Sequence, residues 1–294
     1  MATESAHSDN AHSDNAQKAH PAVHVSHHSP FHFDANPLAH VATNDPTLRL
    51  TAFGGEFQPG LYRPPSRKFG NPAPLGLSCF GLTTFVLSLI NLQTRGVTEP
   101  NIVIAVAYAY GGLVQLLSGM WEFAVGNTFG ATALSSFGGF WIAFAIILTP
   151  GGFEIVSSLE ASKGGVSSFY DSMAFFLLGW FIFTTLLLLC TLKSTLAFFF
   201  LFFTLDIAFM MLSIGYLKHD PVTGPNQKFI KAGGGFGLAA AFLAWYNAFA
   251  GLADDSNSFF VVPVYHFPWS EKAKERKEKD AMTNGNTAEN DKNV

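Results

Sequence analysis

A few polar side chains stand inside long apolar runs, and they are the residues with chemistry to offer. Asp206 is flanked by "FFFLFFTL" and "IAFMML", and Glu122 closes "SGMWE". Gln115, Thr83, Thr84, Ser135 and Ser136 lie in similar surroundings. An amide such as Gln115 needs several hydrogen-bond partners and is costly to leave facing hydrocarbon. Ser and Thr can instead return their hydroxyl to a neighbouring backbone carbonyl, so they divide between packing and a solute path. An acid amid apolar residues is expensive, turns toward the protein interior and is a candidate proton or polar site. That reading fits Asp206, against the simpler one of a structural hydrogen bond between helices. Glu122 reads first as an interfacial or structural carboxylate. The chemistry on offer is binding and passage of a small polar solute. No nucleophile paired with a base is visible and no GxxxxGK[ST] loop is present, so neither an enzyme nor an ATP-driven pump is expected.

The elements that must position these residues follow from charge placement. The chain has 294 residues, of which 49% are hydrophobic and 13% charged; Phe alone contributes 31. Soluble domains carry about 25% charge. Residues 69–94, 100–121, 123–153, 172–192 and 232–253 carry no Asp, Glu, Lys or Arg, and 194–217 carry only Asp206. A bilayer-spanning helix needs about 20 mostly apolar residues. Six segments qualify: 73–92, 102–121, 128–148, 173–192, 195–217 and 232–252. They are too long and too continuously apolar for barrel strands. The expected fold is an all-α integral membrane protein, a bundle of six transmembrane helices.

Three regions result: a His-rich tail over 1–69, a six-helix transmembrane domain over 70–253 and a polar tail over 254–294. The first tail carries eight of the ten His and the repeat "AHSDN" at 6–10 and 11–15. Neither tail has the apolar content for a core. The His spacing, as at His24, His27, His28 and His32, permits a metal, but the surrounding chain organises no site, and none is expected. The mixed-charge run "EKAKERKEKD" suits either solvent or anionic lipid headgroups. Cys79 and Cys190 fall inside helices and read as packing residues. The net charge of −4 gives no reason to expect nucleic acid. With no apolar leader, the first helix is expected to direct insertion.

The stretch "NPAPLGL", 71–77, opens the first apolar segment. Asn is a strong N-cap, and proline loses nothing in a first turn whose N–H groups lack partners anyway. Such a start turns the positive end of the helix dipole toward whatever lies before it. Facing a cavity it would favour an anion; at a plain interface it would only begin a helix.

"NPAPLGL" also resembles the signature of the acetate transporter family, which includes bacterial succinate–acetate permeases and fungal acetate and ammonia-export proteins. "YGGLVQLLSGMWEFAVGNTFGATALSSFGGFW" (110–141), "TLKSTLAFFFLFFTLDIAFMMLSIG" (191–215) and "GLAAAFLAWYNAFAGL" (237–252) are similar to later helices of that family. The similarity spans about 53–269 and points to the fungal branch. The resemblance implies a pore in each six-helix protomer, a homohexamer, and passage of acetate and other small carboxylates with no cofactor. It implies a hydrophobic constriction at Phe80, Phe137 and Leu201; at Phe137 the family commonly has Tyr, so a hydroxyl is missing here. The expected pathway comprises Asn71, Leu75, Phe80, Thr84, Gln115, Phe137 and Leu201, with Glu122 and Asp206 as candidate proton or polar sites. Gradient-driven flow and proton coupling both remain open, as do ammonium export and a non-transporting acetate sensor.

Orientation follows from Lys and Arg at the helix ends. Arg63, Arg67 and Lys68, then Lys193, then Lys272, Lys274, Arg276, Lys277 and Lys279 fall on one side of six crossings. The loop holding Lys218, Lys228 and Lys231 opposes them. The even count and the basic flank of the first helix place both tails in the cytoplasm, with the plasma membrane as the expected location. Protease added outside sealed cells should therefore reach the 149–171 loop and leave both tails intact. Loss of the N-terminal tail in that assay would reverse the topology.

Overall fold

The computed structural model describes residues 69–275. The His-rich tail and the basic run from Arg276 onward lie outside the described residues. Among the described residues, six helices are long and apolar enough to cross a membrane: Ala73–Asn91, Asn101–Ala124, Thr128–Leu148, Val166–Cys190, Leu196–Leu217 and Gln227–Leu252. Their order gives α1 (Ala73–Asn91), α2 (Asn101–Tyr108), a π-helical turn over Ala109–Val114, α3 (Gln115–Ala124) and α4 (Thr128–Leu148). The chain continues as a short α5 (Ile155–Glu160), then α6 (Val166–Cys190), α7 (Leu196–Leu217) and α8 (Gln227–Leu252). The second span is thus α2, the π turn and α3 in one run.

The helix starts were written in local sequence. Asn71 Oδ1 accepts the Ala73 N–H at 3.1 Å, with Pro72 and Pro74 in the first turn. Asn127 Oδ1 accepts from Gly130 N at 2.9 Å, Thr195 Oγ1 from Phe198 N at 3.2 Å and Asn226 Oδ1 from Lys228 N at 3.1 Å. Each satisfies one of the donors that a helix N-terminus leaves without an internal partner.

The expected spans differ most at two starts. The fourth helix begins at Val166 rather than 173, and the sixth at Gln227 rather than 232. In both cases a charged residue (Asp171, or Lys228 and Lys231) closed the charge-free window without ending the helix. Charge limits burial in hydrocarbon, not helix formation.

A larger difference concerns the segment after residue 254, where no packed structure was expected. Residues 254–275 return against the end of the bundle where α1 starts and α8 stops. The Leu196 N–H donates to Tyr265 O at 2.8 Å, and Trp269 Nε1 donates to Leu192 O at 2.8 Å. Tyr246 Oη donates to Pro263 O. Val262 and Ser270 are buried. The apolar residues that do this (Phe260, Val262, Val264, Phe267, Trp269) are too few for a core of their own, but the bundle supplies the other surface.

The bundle is tight where side chains are missing. A Cβ on Gly119 would stand 2.3 Å from Ser135 Oγ and 2.4 Å from the Ser135 backbone nitrogen. That contact draws α3 onto α4, as small residues do between membrane helices. Gly119→Ala should cost about 1–3 kcal/mol by overpacking, because backbone must move. Thermal unfolding of the detergent-solubilised protein should show a lowered midpoint, and an unchanged one would mean that α3 and α4 can separate freely.

Candidate functional site

A cavity of about 30 Å³ lies inside the bundle, lined by Leu77, Phe80, Gln115, Gly130, Ala133, Leu134, Phe137, Phe198, Leu201, Phe202 and Leu205. Water needs roughly 10–15 Å³ of such space, so the cavity holds a water or two and nothing larger without ring motion. Its walls come from four elements. Leu77 and Phe80 project from α1, and Gln115 opens α3. Gly130 to Phe137 lie on α4. Phe198, Leu201, Phe202 and Leu205 form a stripe on α7, spaced as one helix face.

Aromatic rings narrow the site. Phe80 and Phe137 stand 5.8 Å apart between centroids. Phe137 stacks nearly parallel on Phe209 at 6.3 Å and also meets Trp180 at 5.9 Å, Phe183 at 6.1 Å and Phe202 at 6.4 Å. Such pairs add about 0.5–1.5 kcal/mol beyond area burial, so Phe137 is held from several sides. It is 3% exposed.

Gln115 is the one side chain with a polar head on this wall. It is fully buried, and neither amide oxygen nor amide nitrogen has a hydrogen-bond partner. Leaving such a group unpaired costs about 1–3 kcal/mol. The surface that the cavity presents is apolar throughout, so the amide is covered here and offers its donor and acceptor to a small polar solute once the side chain turns inward.

A second cavity, of about 70 Å³, sits at the end of the bundle where α1 begins. Asn71, Ala73 and Pro74 from the start of α1, Ser194 and Thr195 from the start of α7, and Asn247 from α8 line it, with Ala250, Gly251 and Val264. Phe198 borders both cavities and is the wall between them. Two helix N-termini converge here, and each carries partial positive charge.

The expected pathway residues divide accordingly. Phe80, Gln115, Phe137 and Leu201 meet in the inner cavity, and Asn71 lines the outer one. Leu75 does not join them: it is 47% exposed, on the outer face of α1, because its neighbours Pro74, Gly76 and Leu77 take the inward positions. Thr84 is buried one turn beyond Phe80 with its hydroxyl unpartnered, and it does not line the cavity. Glu122 is 1% exposed rather than interfacial. Its backbone carbonyl accepts from Asn127 N at 2.9 Å, and its carboxyl lies close to the Gly130 backbone. Asp206 is half-buried, away from both cavities, at the seam of α6 and α7, where Thr185 Oγ1 donates to its Oδ1 at 2.9 Å.

Leu77, Gly130, Ala133, Leu134, Phe198, Phe202 and Leu205 were not singled out. For the α7 stripe a signal existed, in the spacing Phe198, Leu201, Phe202, Leu205. It was hidden because every neighbour is apolar too. Outside the spans, the backbone N–H groups of Thr223 and Val222 hold the Asp220 carboxyl below its ordinary range. Burial, with a smaller effect of Lys272, lowers His266.

Comparison with known proteins agrees with this architecture. The model of the GPR1/FUN34/yaaH family matches residues 53–269. Acetate permease A of Emericella nidulans is 64% identical over 248 residues, covering 84% of this chain and 83% of that protein. Ammonia transport outward protein 2 of Saccharomyces cerevisiae is 50% identical over 221 residues, 75% of each chain. The solved structure of the bacterial acetate channel SatP superposes with a TM-score of 0.55 at 31% identity, over 67% of this chain and 99% of that one. With a family model matching most of its length and relatives this similar, the chain belongs to the GPR1/FUN34/yaaH family.

Proposed function

We propose that the protein moves acetate and other short-chain carboxylates across a membrane, the two cavities being stations on one path. The observation that carries the reading is the buried Gln115 amide, without a partner, on an otherwise apolar wall beside Phe80, Phe137 and Leu201. A carboxylate group can pair with that amide, while its methyl end meets rings. The cavity is small, so passage requires the rings to part and favours two- or three-carbon acids. The relatives named for acetate support this substrate; the ammonia-export relatives support the alternative, and an unpaired amide oxygen could accept from ammonium. The apolar wall favours a partly apolar solute and therefore acetate.

In this reading the outer cavity is a cytoplasmic vestibule, both tails are cytoplasmic, and the protein works as a homohexamer in the plasma membrane with one pore per protomer. The charge pattern at the helix ends and the family resemblance support these features. The route needs no cofactor and no metal. Flow down a gradient and proton symport are separated by one experiment: labelled-acetate influx into liposomes with and without an imposed pH gradient. Symport predicts dependence on the gradient; a channel does not. No flux under either condition would sink the reading. In the same assay Phe80→Ala should widen the range of acids carried, and Gln115→Leu should lower acetate influx by about tenfold, the worth of a hydrogen bond to a charged group. An unchanged size preference in a folded Phe80→Ala protein would remove Phe80 from the constriction.

Asn71 provides a separate test of the vestibule. Cap and dipole contributions are each about 1 kcal/mol. Asn71→Ala should therefore weaken apparent acetate affinity by about tenfold at most. Asn71→Asp caps as well as asparagine does but sets a fixed negative charge before the incoming anion. Acetate transport should fall much further in Asn71→Asp than in Asn71→Ala at equal surface expression. Wild-type transport by the aspartate variant would reduce the motif to a helix start.

A further inference from the structure

The segment that returns after α8 does more than end the chain. Residues 258–270 pack at the end of the bundle that holds the outer cavity, and Val264 is one of its lining residues, with Asn71 and Ser194. The remaining lining residues belong to helices, to the tight α6–α7 link or, as Asn71, to the capped start of α1. This strap is therefore the part of the wall that can leave without unfolding a span.

Its attachments are few and local. The Tyr265 carbonyl takes the Leu196 N–H, a donor that the first turn of α7 leaves open, at 2.8 Å. The Trp269 indole N–H reaches Leu192 O at 2.8 Å, and the Tyr246 hydroxyl holds Pro263 O. Phe267 stacks on Trp269 at 4.7 Å and meets Phe199 edge-on at 5.4 Å. Inward, Val262 and Ser270 are buried. Outward, Tyr265 is 66% exposed, Trp269 53% and Phe259 fully exposed. Release would thus uncover little new apolar surface. Segments with few buried contacts and exposed hydrogen bonds are those that open below the global unfolding free energy.

We propose that this strap is a gate on the vestibule: seated, Val264 closes the route between the bundle end and Asn71; lifted, it admits the carboxylate. The gate rests on the transport reading above and regulates the same path. It makes the rate of carboxylate passage a property of the C-terminal segment, separate from the selectivity set at Phe80, Phe137 and Leu201.

The test uses the full-length protein in liposomes and conservative variants that spare the fold. Tyr246→Phe removes only the hydroxyl that holds Pro263, and Trp269→Phe removes the indole N–H while keeping a ring to stack. One such bond is worth a factor of about five in the closed-to-open ratio. Each variant should therefore raise initial acetate influx up to about fivefold. Strap position is read independently by reaction of Val262→Cys, a position buried while the strap is seated, with a membrane-impermeant thiol reagent, in a Cys190→Ser background since Cys190 is exposed. Labelling should quicken in both variants in step with influx. Faster labelling with unchanged or slower influx would show a strap that moves without gating and would overturn the proposal. Unchanged labelling would also overturn it, because the named contacts would not be what holds the strap. Wild-type protein that moves no acetate would instead remove the transport reading, and the gate with it.

Discussion

Close approach of helix backbones where a side chain is missing governs this bundle. Between helices in lipid, hydrophobic burial gives little drive, and packing of surfaces must supply it. At Gly119 the α3 backbone meets Ser135 nearly atom to atom, and at Gly76 the α1 backbone meets Ser118 and Leu134. Ser118 then donates to the Pro72 carbonyl at 2.6 Å. These contacts draw α1, α3 and α4 together around the inner cavity. Its width is set by how near the backbones come, and the rings only fill what is left. A looser bundle with the same rings would have an open apolar channel and no discrimination.

Within that frame the aromatic residues and Gln115 act in opposition. Phe137 is braced by Phe80, Trp180, Phe183, Phe202 and Phe209, which keeps the inner cavity narrow. Gln115 is set into the same wall without a partner. Low local polarity makes an unpaired amide costly and makes any hydrogen bond it gains stronger. Hydrocarbon rings alone would repel a carboxylate, and an open polar cavity would pass anything small. In the transport reading proposed above, the combination suits a solute with one polar end and one apolar end. At the outer cavity the logic is electrostatic: the starts of α1 and α7, one capped by Asn71 and the other by Thr195, point partial positive charge at one space.

The π turn over Ala109–Val114 connects these two themes. A π turn places an extra residue in the helix and so rotates everything after it by about 100° relative to an unbroken α-helix. Gln115 follows at once. Gly112, inside the turn, lies against the Ala107 carbonyl and Ile142, with no room for a side chain. The turn thus brings the second span against α4 and also decides which way Gln115 faces.

Much of this was legible in the sequence, for physical reasons that operate locally. Charge-free runs of bilayer length can be little else than spans, so six helices and their order followed from composition. Capping is a contact over two or three residues, so the start at Asn71 with Pro72 and Pro74 was readable from "NPAPLGL". Phe80, Phe137 and Leu201 came from resemblance to a family rather than from spacing. What tertiary structure alone decided was facing. In a span where nearly every residue is apolar, no periodic contrast says which side is inward, so Leu75 was expected on the path and lies on the outer face of α1, while Phe198 and Leu205 line the inner cavity unannounced. Burial of the two acids was decided by packing as well: Asp206 is half-buried at a seam where Thr185 of another helix donates to it, and Glu122 is buried against the Asn127–Gly130 turn that follows it. The return of residues 254–275 was invisible because the surface that makes those few apolar residues pack is the far end of helices they do not resemble in sequence.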